Sequence, residues 1–401
     1  MDLKSGYPFW AVKNGLMQAF PKLEGDVKCD VAIIGAGITG ALVADELAAH
    51  GHEVCVLDQR DVGWGSTSAS TALLQYEIDT HMVDLAKDYG EADAVLAYRA
   101  CADAIDLLAE KAAEVRDVDF ARMHSLYYAS KRGHRRDLEE EFAMRQRHGF
   151  AMEWLEPEQV REAYGFDAPC AILSDKAARI DPYRMAHRLL KRLQRAGGHV
   201  HDRTSVTHIA ANTRGVELET TSGARVRAKH LVMAAGYESQ KFLRKDVAKN
   251  RSSYAFITDP IDPDLLGPLN HTMVWESARP YLYMRTTGEG RLLIGGEDDN
   301  IDIASKRDAQ VDAKANKLAK QVSKLFPHLP VKPAFAWAGT FAETKDGLPW
   351  FGAHKQHGPR VLFAMAYGGN GISYSMLGAG LLRATIERRK HPLARLFGFE
   401  R

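Results

Sequence analysis

Residues 31–40, VAIIGAGITG, decide how this chain is read. An apolar run breaks into Gly35-x-Gly37-x-x-Gly40 and passes directly into a helical pattern; a second apolar run at 53–57 ends on Asp58. This is the wiring of a dinucleotide-binding βαβ unit. Gly35 allows the sharp turn off the strand, Gly37 lets a pyrophosphate approach the backbone, and Gly40 lets the helix pack on the sheet. The helix N-terminus then presents free N–H groups and the positive end of its dipole to the phosphates. A carboxylate at Asp58 accepts hydrogen bonds from ribose hydroxyls and repels a 2′-phosphate. The turn, with Ala36, Ile38 and Thr39 between its glycines, and Asp58 with its neighbour Gln59 are therefore candidate cofactor contacts.

Outward from this unit, the 401 residues allow two or three domains, and 45% hydrophobic with 26% charged residues is the balance of a soluble globular protein. A formal net charge of +1 gives no reason to expect a nucleic-acid or acidic-membrane partner. Cys29, Cys55, Cys101 and Cys170 are widely spaced with no CxxC, which supports neither zinc nor dithiol chemistry; isolated thiols in apolar runs fit a reducing cytoplasm. The first residues lack a continuous apolar core, and no stretch approaches the roughly 20 apolar residues that cross a bilayer, so a cytoplasmic protein without a membrane span is expected. Residues 1–28, with Phe9, Trp10 and Phe20, are too aromatic for a disordered tail. They either pack on the protein's own surface or contribute to a partner or substrate entrance.

After a Gly/Ser/Thr-rich loop at 61–71, helices are expected at about 79–88 and 91–115, a strand at 124–130, a charged exposed helix at 131–148 and a short strand at 171–174. Residues 181–198, DPYRMAHRLLKRLQRAGG, form a well-marked helix: Asp181 suits the N-cap, Pro182 N1 and Gly197 C′, with Met185, Leu189 and Leu193 as its apolar face. Residues 199–234 alternate short strands and turns and read as an antiparallel meander. Strands follow at 252–259 and 271–296, the latter containing a hairpin in YLYMRTTGEGRLLIGG. A helix at 306–326, apolar strands at 334–341 and 361–366, and a last helix at 371–389 complete the chain. The second βαβαβ half usual in nicotinamide dehydrogenases is not evident, which favours FAD, a long ligand that draws contacts from distant parts of a chain.

In order along nearly the whole chain stand CDVAIIGAGITG, GWGSTSAST, IDPYRMAHRLL, LVMAAGYES, YLYMR with GRLLIGGED, ETKDGLPWFG and AYGGNGISYS. This series resembles the D-amino-acid oxidase, glycine oxidase and sarcosine oxidase superfamily of FAD-dependent oxidoreductases, and within it the gamma-glutamylputrescine oxidase-like group. The resemblance implies an α/β (α+β) fold: a Rossmann-like FAD-binding domain of the glutathione-reductase-2 type with an interleaved antiparallel β-sheet substrate domain. The expected division is an N-terminal extension at 1–28, a discontinuous FAD-binding domain at 29–115, 152–240 and 335–401, and a substrate domain at 116–151 and 241–334.

The resemblance also implies roles. Gly65, Ser66 and Thr67 would fold back over the FAD, Val206 would touch its adenine half through the backbone, and Ala235 and Gly236 would let a strand end approach it. Gly368, Gly369, Asn370, Gly371 and Ile372 lie between an apolar strand and the last helix, whose N-terminus stabilises charge developing over flavin N1 and C2=O. Monomeric sarcosine oxidases tether the flavin through a cysteine near the place of Gly339; no cysteine stands there, so noncovalent FAD is expected. They also carry a lysine where this chain has Ser373, which leaves the electron acceptor open between O₂ and another group.

On the substrate side, period-2 alternation puts Tyr281, Tyr283 and Arg285 on one strand face. The family's amino-acid oxidases place an arginine at the end of this strand, where a guanidinium grips a carboxylate through two hydrogen bonds. Arg285 is thus the candidate anchor, with a solvated hairpin-end arginine as the alternative. Tyr254 and Tyr283 are candidate pocket hydroxyls or half-buried strand aromatics. Glu297 and Asp298 either attract a cationic amine or form a solvated acidic turn, and Lys345 and Asp346 are expected to shape a turn near the flavin. The implied activity is oxidation of an amine or amino-acid C–N bond (EC 1.4 or 1.5): hydride transfer to flavin N5, hydrolysis of the imine to a carbonyl, and reoxidation by O₂. No general base is evident. The alternatives are an FAD-dependent dehydrogenase of a hydroxy or imino acid with a quinone or other acceptor, and a flavin-bound assembly protein without turnover.

Overall fold

A computed structural model describes residues 2–301 and 303–401; position 1 of the expected extension and position 302 of the expected substrate domain lie outside the described residues. Val27–Ile34 is the centre of a first sheet. It pairs in parallel with Val54–Leu57 on one side and Arg225–Met233 on the other. His199–His201 extends the sheet in parallel beyond Val54–Leu57, and Val361–Met365 does so beyond Arg225–Met233. Trp350–Ala353 closes the edge antiparallel. These inner strands are apolar on both faces, as parallel strands between helices must be: Ala32, Ile33, Leu231, Val232 and Phe363 are all fully buried.

The expected meander at 199–234 is therefore shorter than the sequence suggests. Only Val206–Ala211, Val216–Thr220 and the first half of Arg225–Met233 run antiparallel. The helix Pro182–Arg195 leads into His199–His201, which joins the dinucleotide sheet in parallel. The run LVMAA leaves the meander and pairs with Val27–Ile34 because an apolar strand needs cover on both faces. That crossover helix follows its expected signals: the Asp181 carboxylate accepts from Arg184 N at 3.0 Å, and Gly197 has a left-handed φ of 90°.

Among the described residues the second sheet has nine strands. Phe335–Glu343, Lys249–Pro260, Arg291–Asp299, Leu282–Thr286, Thr272–Glu276, Ala121–Tyr128, Ala171–Arg179 and Leu73–Gln75 follow in that order, and Met152–Leu155 pairs with Ala171–Arg179. It thus recruits strands from 73–75, 152–179 and 335–343, stretches interleaved with those that build the first sheet. Helix Val311–Leu325 covers one face, burying Leu318 and Val322 against Tyr254, Phe256, Leu282, Met284, Leu292 and Ile294. The other face looks toward the first sheet. Part of it is filled by the N-terminal segment: Phe9, Trp10 and Ala11 of the short helix Phe9–Asn14 pack on Ala255, Ile257, Leu293 and Trp337.

The helix expected to be exposed at 131–148 begins at Arg135 and buries two of its charges. Glu141 and Arg145 are fully buried, 2.7 Å apart, and Glu141 also accepts from the backbone N–H groups of Met82 and Val83. Backbone donors thus hold the carboxylate, while the guanidinium lies over the rings of Tyr76 and Tyr98 at 5.6 and 5.2 Å.

Candidate cofactor and substrate cavity

A cavity of about 1200 Å³ runs between the two sheets. At its first end lies the glycine turn. Gly35 has a φ of 113°, a region only glycine occupies freely, and a Cβ on it would collide with the backbone of Ala234. The turn therefore lies directly against the end of the Arg225–Met233 strand, which is where Ala235 and Gly236 also reach the cavity. Gly35, Gly37, Ile38 and Thr39 line the wall, whereas Ala36 and Gly40 sit behind it. The Ala36 N–H donates to Asp58 Oδ2 at 2.7 Å, and the Arg60 N–H to Asp58 Oδ1 at 2.8 Å. Burial pushes the Asp58 carboxyl up, with these two donors acting against it, and the donors fix its orientation in the wall. Gln59 and Val206 line the same end, and Gln59 Nε2 donates to Glu238 at 2.9 Å.

Gly65, Ser66 and Thr67 form the next piece of wall, at the start of a one-turn helix Ser66–Ala69. The Thr67 hydroxyl accepts from Ile38 N at 2.9 Å and so pins this loop to the first turn of Ile38–Ala49. Farther along, Gly368, Gly369, Asn370, Gly371, Ile372 and Ser373 bring the N-terminus of Gly371–Ile386 to the cavity. Asn370 is held by donating to the Glu77 carbonyl at 2.9 Å, and Gly369 N donates to Asp79 Oδ2 at 2.8 Å. A helix N-terminus and flanking glycine backbone suit an electron-rich ring edge. The residues fit FAD: two helix N-termini face one elongated space, one with a ribose-type carboxylate beside it.

Beyond the glycine loop the cavity opens onto the second sheet. Five neighbouring strands contribute to its lining, among them, in sheet order, Gly339, Ser253, Asp298, Tyr283 and Trp275. Opposite Tyr283 in the register is Gly295, where a Cβ would strike the Tyr283 ring. Without it the tyrosine leans across that strand, and its hydroxyl lies 3.2 Å from Ser253 Oγ. Trp275 stacks on Tyr127 with centroids 3.7 Å apart, and Tyr281 meets Trp275 edge-on. Arg279 lies over the Tyr281 ring at 4.1 Å and donates to the Asp79 carbonyl at 2.9 Å.

Two of the residues nominated for the substrate do not reach this chamber. Tyr254 sits on the helix-covered face, fully buried, donating to Asp299 at 3.0 Å; its neighbours Ser253 and Ala255 take the cavity side. Arg285 shares the face of Tyr283 but lies one step past the chamber, roofed by Trp10 and the backbone at Thr71 and Ile180. Fully buried, it donates to the carbonyls of Thr71, Ile180 and Thr286 at 2.8–3.1 Å. Burial lowers its pKa to about 10, which still leaves it charged at neutral pH. Glu297 turns away from the cavity, accepting from Lys317 at 2.7 Å and Gln321 at 3.0 Å. A register irregularity in this strand pair, with Glu297 at a φ of 55°, separates it from Asp298. Asp346 anchors the turn before Trp350–Ala353, accepting from Tyr89 and Arg401 at 2.5 and 2.8 Å, while Lys345 is exposed.

Asp79, Trp275 and Arg279 are among the lining residues that sequence reasoning passed over. Asp79 falls inside the helix expected at 79–88; the helix starts at Met82, which leaves Asp79 on a turn facing the glycine loop. Trp275 carried no signal because strand pairing brings it beside Tyr281, and Arg279 none because it stands in the loop just before Tyr281, outside either strand.

Residues 30–385 match the FAD dependent oxidoreductase (DAO) family, and the chain belongs to it. It is an FAD-dependent oxidoreductase by that membership. Among curated proteins it is similar to gamma-glutamylputrescine oxidoreductase of Escherichia coli, 26% identical over 95% of this chain and 89% of the relative. It is also similar to glycine oxidase of Geobacillus kaustophilus, 27% identical over 90% of this chain and 93% of the relative. The crystal structure of glycine oxidase from Geobacillus kaustophilus superposes with a TM-score of 0.77 at 21% identity, covering 92% of this chain and 97% of that one. That likeness establishes the shared fold.

Proposed function

We propose that the protein oxidises the C–N bond of an amine or amino acid, with FAD held noncovalently along the cavity from the Gly35–Thr39 turn to the start of Gly371–Ile386. One observation carries the reading: the space served by both helix N-termini continues into a chamber lined by Trp275, Tyr281, Tyr283, Asp79 and Asp298. Aromatic walls with carboxylates suit an amine. The names of the two curated relatives, gamma-glutamylputrescine oxidoreductase and glycine oxidase, both specify an amine. Noncovalent binding is supported by the described lining of the cavity, which includes none of the four cysteines.

Bound FAD supplies the electron acceptor for the substrate's α-hydrogen and its electron pair, after which water hydrolyses the imine product. The chain's own residues do the rest. The first turn of Gly371–Ile386 favours negative charge at the ring edge, the aromatic wall excludes water, and Asp58 orients the ribose. O₂ is the proposed acceptor. The four free, buried thiols go with a cytoplasmic setting.

The test is anaerobic mixing of FAD-reconstituted protein with alkylamines, amino acids, N-methyl amino acids and 2-hydroxy acids. Bleaching of the flavin by amines supports the reading; bleaching by hydroxy acids alone overturns it. Stopped-flow reoxidation of the reduced protein with O₂ then decides the acceptor, fast recovery supporting an oxidase.

A further inference from the structure

We propose that Asp298 is the base that takes the proton from a substrate ammonium in the chamber, with Asp79 holding the same cation from the glycine-loop side. This rests on the amine reading above and deepens it. An amine reaches the site from neutral water as R–NH₃⁺, and its C–H bond is oxidised only once nitrogen carries a lone pair. The step is R–NH₃⁺ + Asp298–COO⁻ → R–NH₂ + Asp298–COOH: one N–H bond breaks, one O–H bond forms, and the proton leaves later to solvent through the cavity mouth. The electrons go to FAD in the oxidation that follows.

The placement of Asp298 carries the inference. In the acidic run 297–299, Glu297 is bound by Lys317 and Gln321, and Asp299 accepts from Tyr254, both on the helix-covered side. Asp298 alone of the three lines the cavity, and its Oδ1 is buried with no hydrogen-bond partner. An orphaned carboxylate oxygen in a cavity wall is a vacant acceptor, costly to keep unless a donor arrives. It sits one strand from Ser253, which pairs with Gly339, and one strand from Tyr283. Across the chamber Asp79 is fixed by the Gly369 N–H. The chamber's guanidiniums are engaged: Arg279 on Tyr281 and the Asp79 carbonyl, Arg251 on Glu343 and Asn300.

The groups facing Asp298 set its basicity. Burial first, then the charges of Asp79 and Glu343, push its carboxyl up to about 6, against a hydrogen bond from Ser253 and the charge of Arg279. Tyr281 and Tyr283 face it as neutral phenols, their own ionisation suppressed by burial. Asp79 is raised as well, by burial against Arg279 and the Gly369 N–H. A base of this strength is ionised at neutral pH and still strong enough to compete for an ammonium proton in a dry site.

The experiment measures the rate of anaerobic flavin reduction against pH, using 1,4-diaminobutane, its N-acyl derivative and N-methylglycine as probes. In the unaltered protein the rate should rise with pH through about 6 as Asp298 ionises. Asp298→Asn should lose that step, reduce flavin about 100-fold more slowly at pH 7, and recover at high pH as free amine appears in solution. A merely structural role would not give recovery at high pH. A second measurement needs no variant: an N-alkoxyamine, neutral throughout the pH range used, should show no rise through about pH 6. Reduction of Asp298→Asn at the unaltered rate and pH profile overturns this proposal and leaves the amine reading standing. Failure of every amine to bleach the flavin overturns both.

Discussion

Arg285 shows how a residue of the right type on the right face differs from a functional one. Its donors are satisfied by three carbonyls and its plane lies 5.5 Å from the Trp10 ring. Removing the side chain strands those carbonyls in a buried place, so Arg285→Met should cost about 3 kcal/mol of stability. Denaturant unfolding would show the loss, while the substrate KM of the folded protein should stay unchanged; a large rise in KM at constant stability would restore the anchor role. His187 makes a second case at this scale. It is 2% exposed, and burial lowers its pKa from 6.5 to about 4. The unfolded chain binds a proton below about 6.5 that the folded one refuses until about 4. Stability should therefore fall by roughly 3 kcal/mol as pH drops through that window and lose nothing further from this group below it. The same titration on His187→Leu should be flatter by that amount.

Among the elements, the stretch at residues 2–5 extends a sheet edge and walls the cavity at once. Thr340 N donates to the Leu3 carbonyl at 2.8 Å, Ser5 N donates to that of Ala338 at 3.0 Å, and the Leu3 side chain, 4% exposed, lines the cavity near Gly65. Leu3→Ala opens that wall to water, removing burial worth about 2 kcal/mol. FAD should then leave about tenfold faster, a ratio read by fluorescence recovery on dilution. No motif announces this contact; only the aromatic content of 1–28 pointed to packing. The dinucleotide unit, the Asp181-capped helix and the Gly288-containing hairpin were legible because each depends on neighbours in sequence. The strand 199–201, the buried pair Glu141 and Arg145, and the chamber wall were not. They depend on which strand lies beside which, and a one-residue irregularity before Asp298 reverses which acid faces the cavity.

For the whole molecule, the cavity lies between two sheets whose strands interleave along the chain, so its filling couples them. Strands 73–75 and 171–179 belong to the second sheet, yet the first sheet's Val54–Leu57 precedes them and its crossover helix Pro182–Arg195 follows them in sequence. A ligand that binds only the folded arrangement adds RT ln(1 + [L]/Kd) to its stability, about 2.7 kcal/mol at a hundredfold excess over Kd. Protein stripped of FAD should therefore melt several degrees lower and regain the difference on titration with FAD. The recovery should be selective. Asp58 accepts from the Ala36 and Arg60 N–H groups at the end of the cavity that fits a ribose. NADP⁺, whose 2′-phosphate would meet that carboxylate, should give no shift at the same concentration. Asp58→Ala should weaken the FAD shift by removing a ribose acceptor while easing the repulsion of NADP⁺. Equal shifts with FAD and NADP⁺ in the unaltered protein would place the ribose elsewhere and remove Asp58 from the cofactor site.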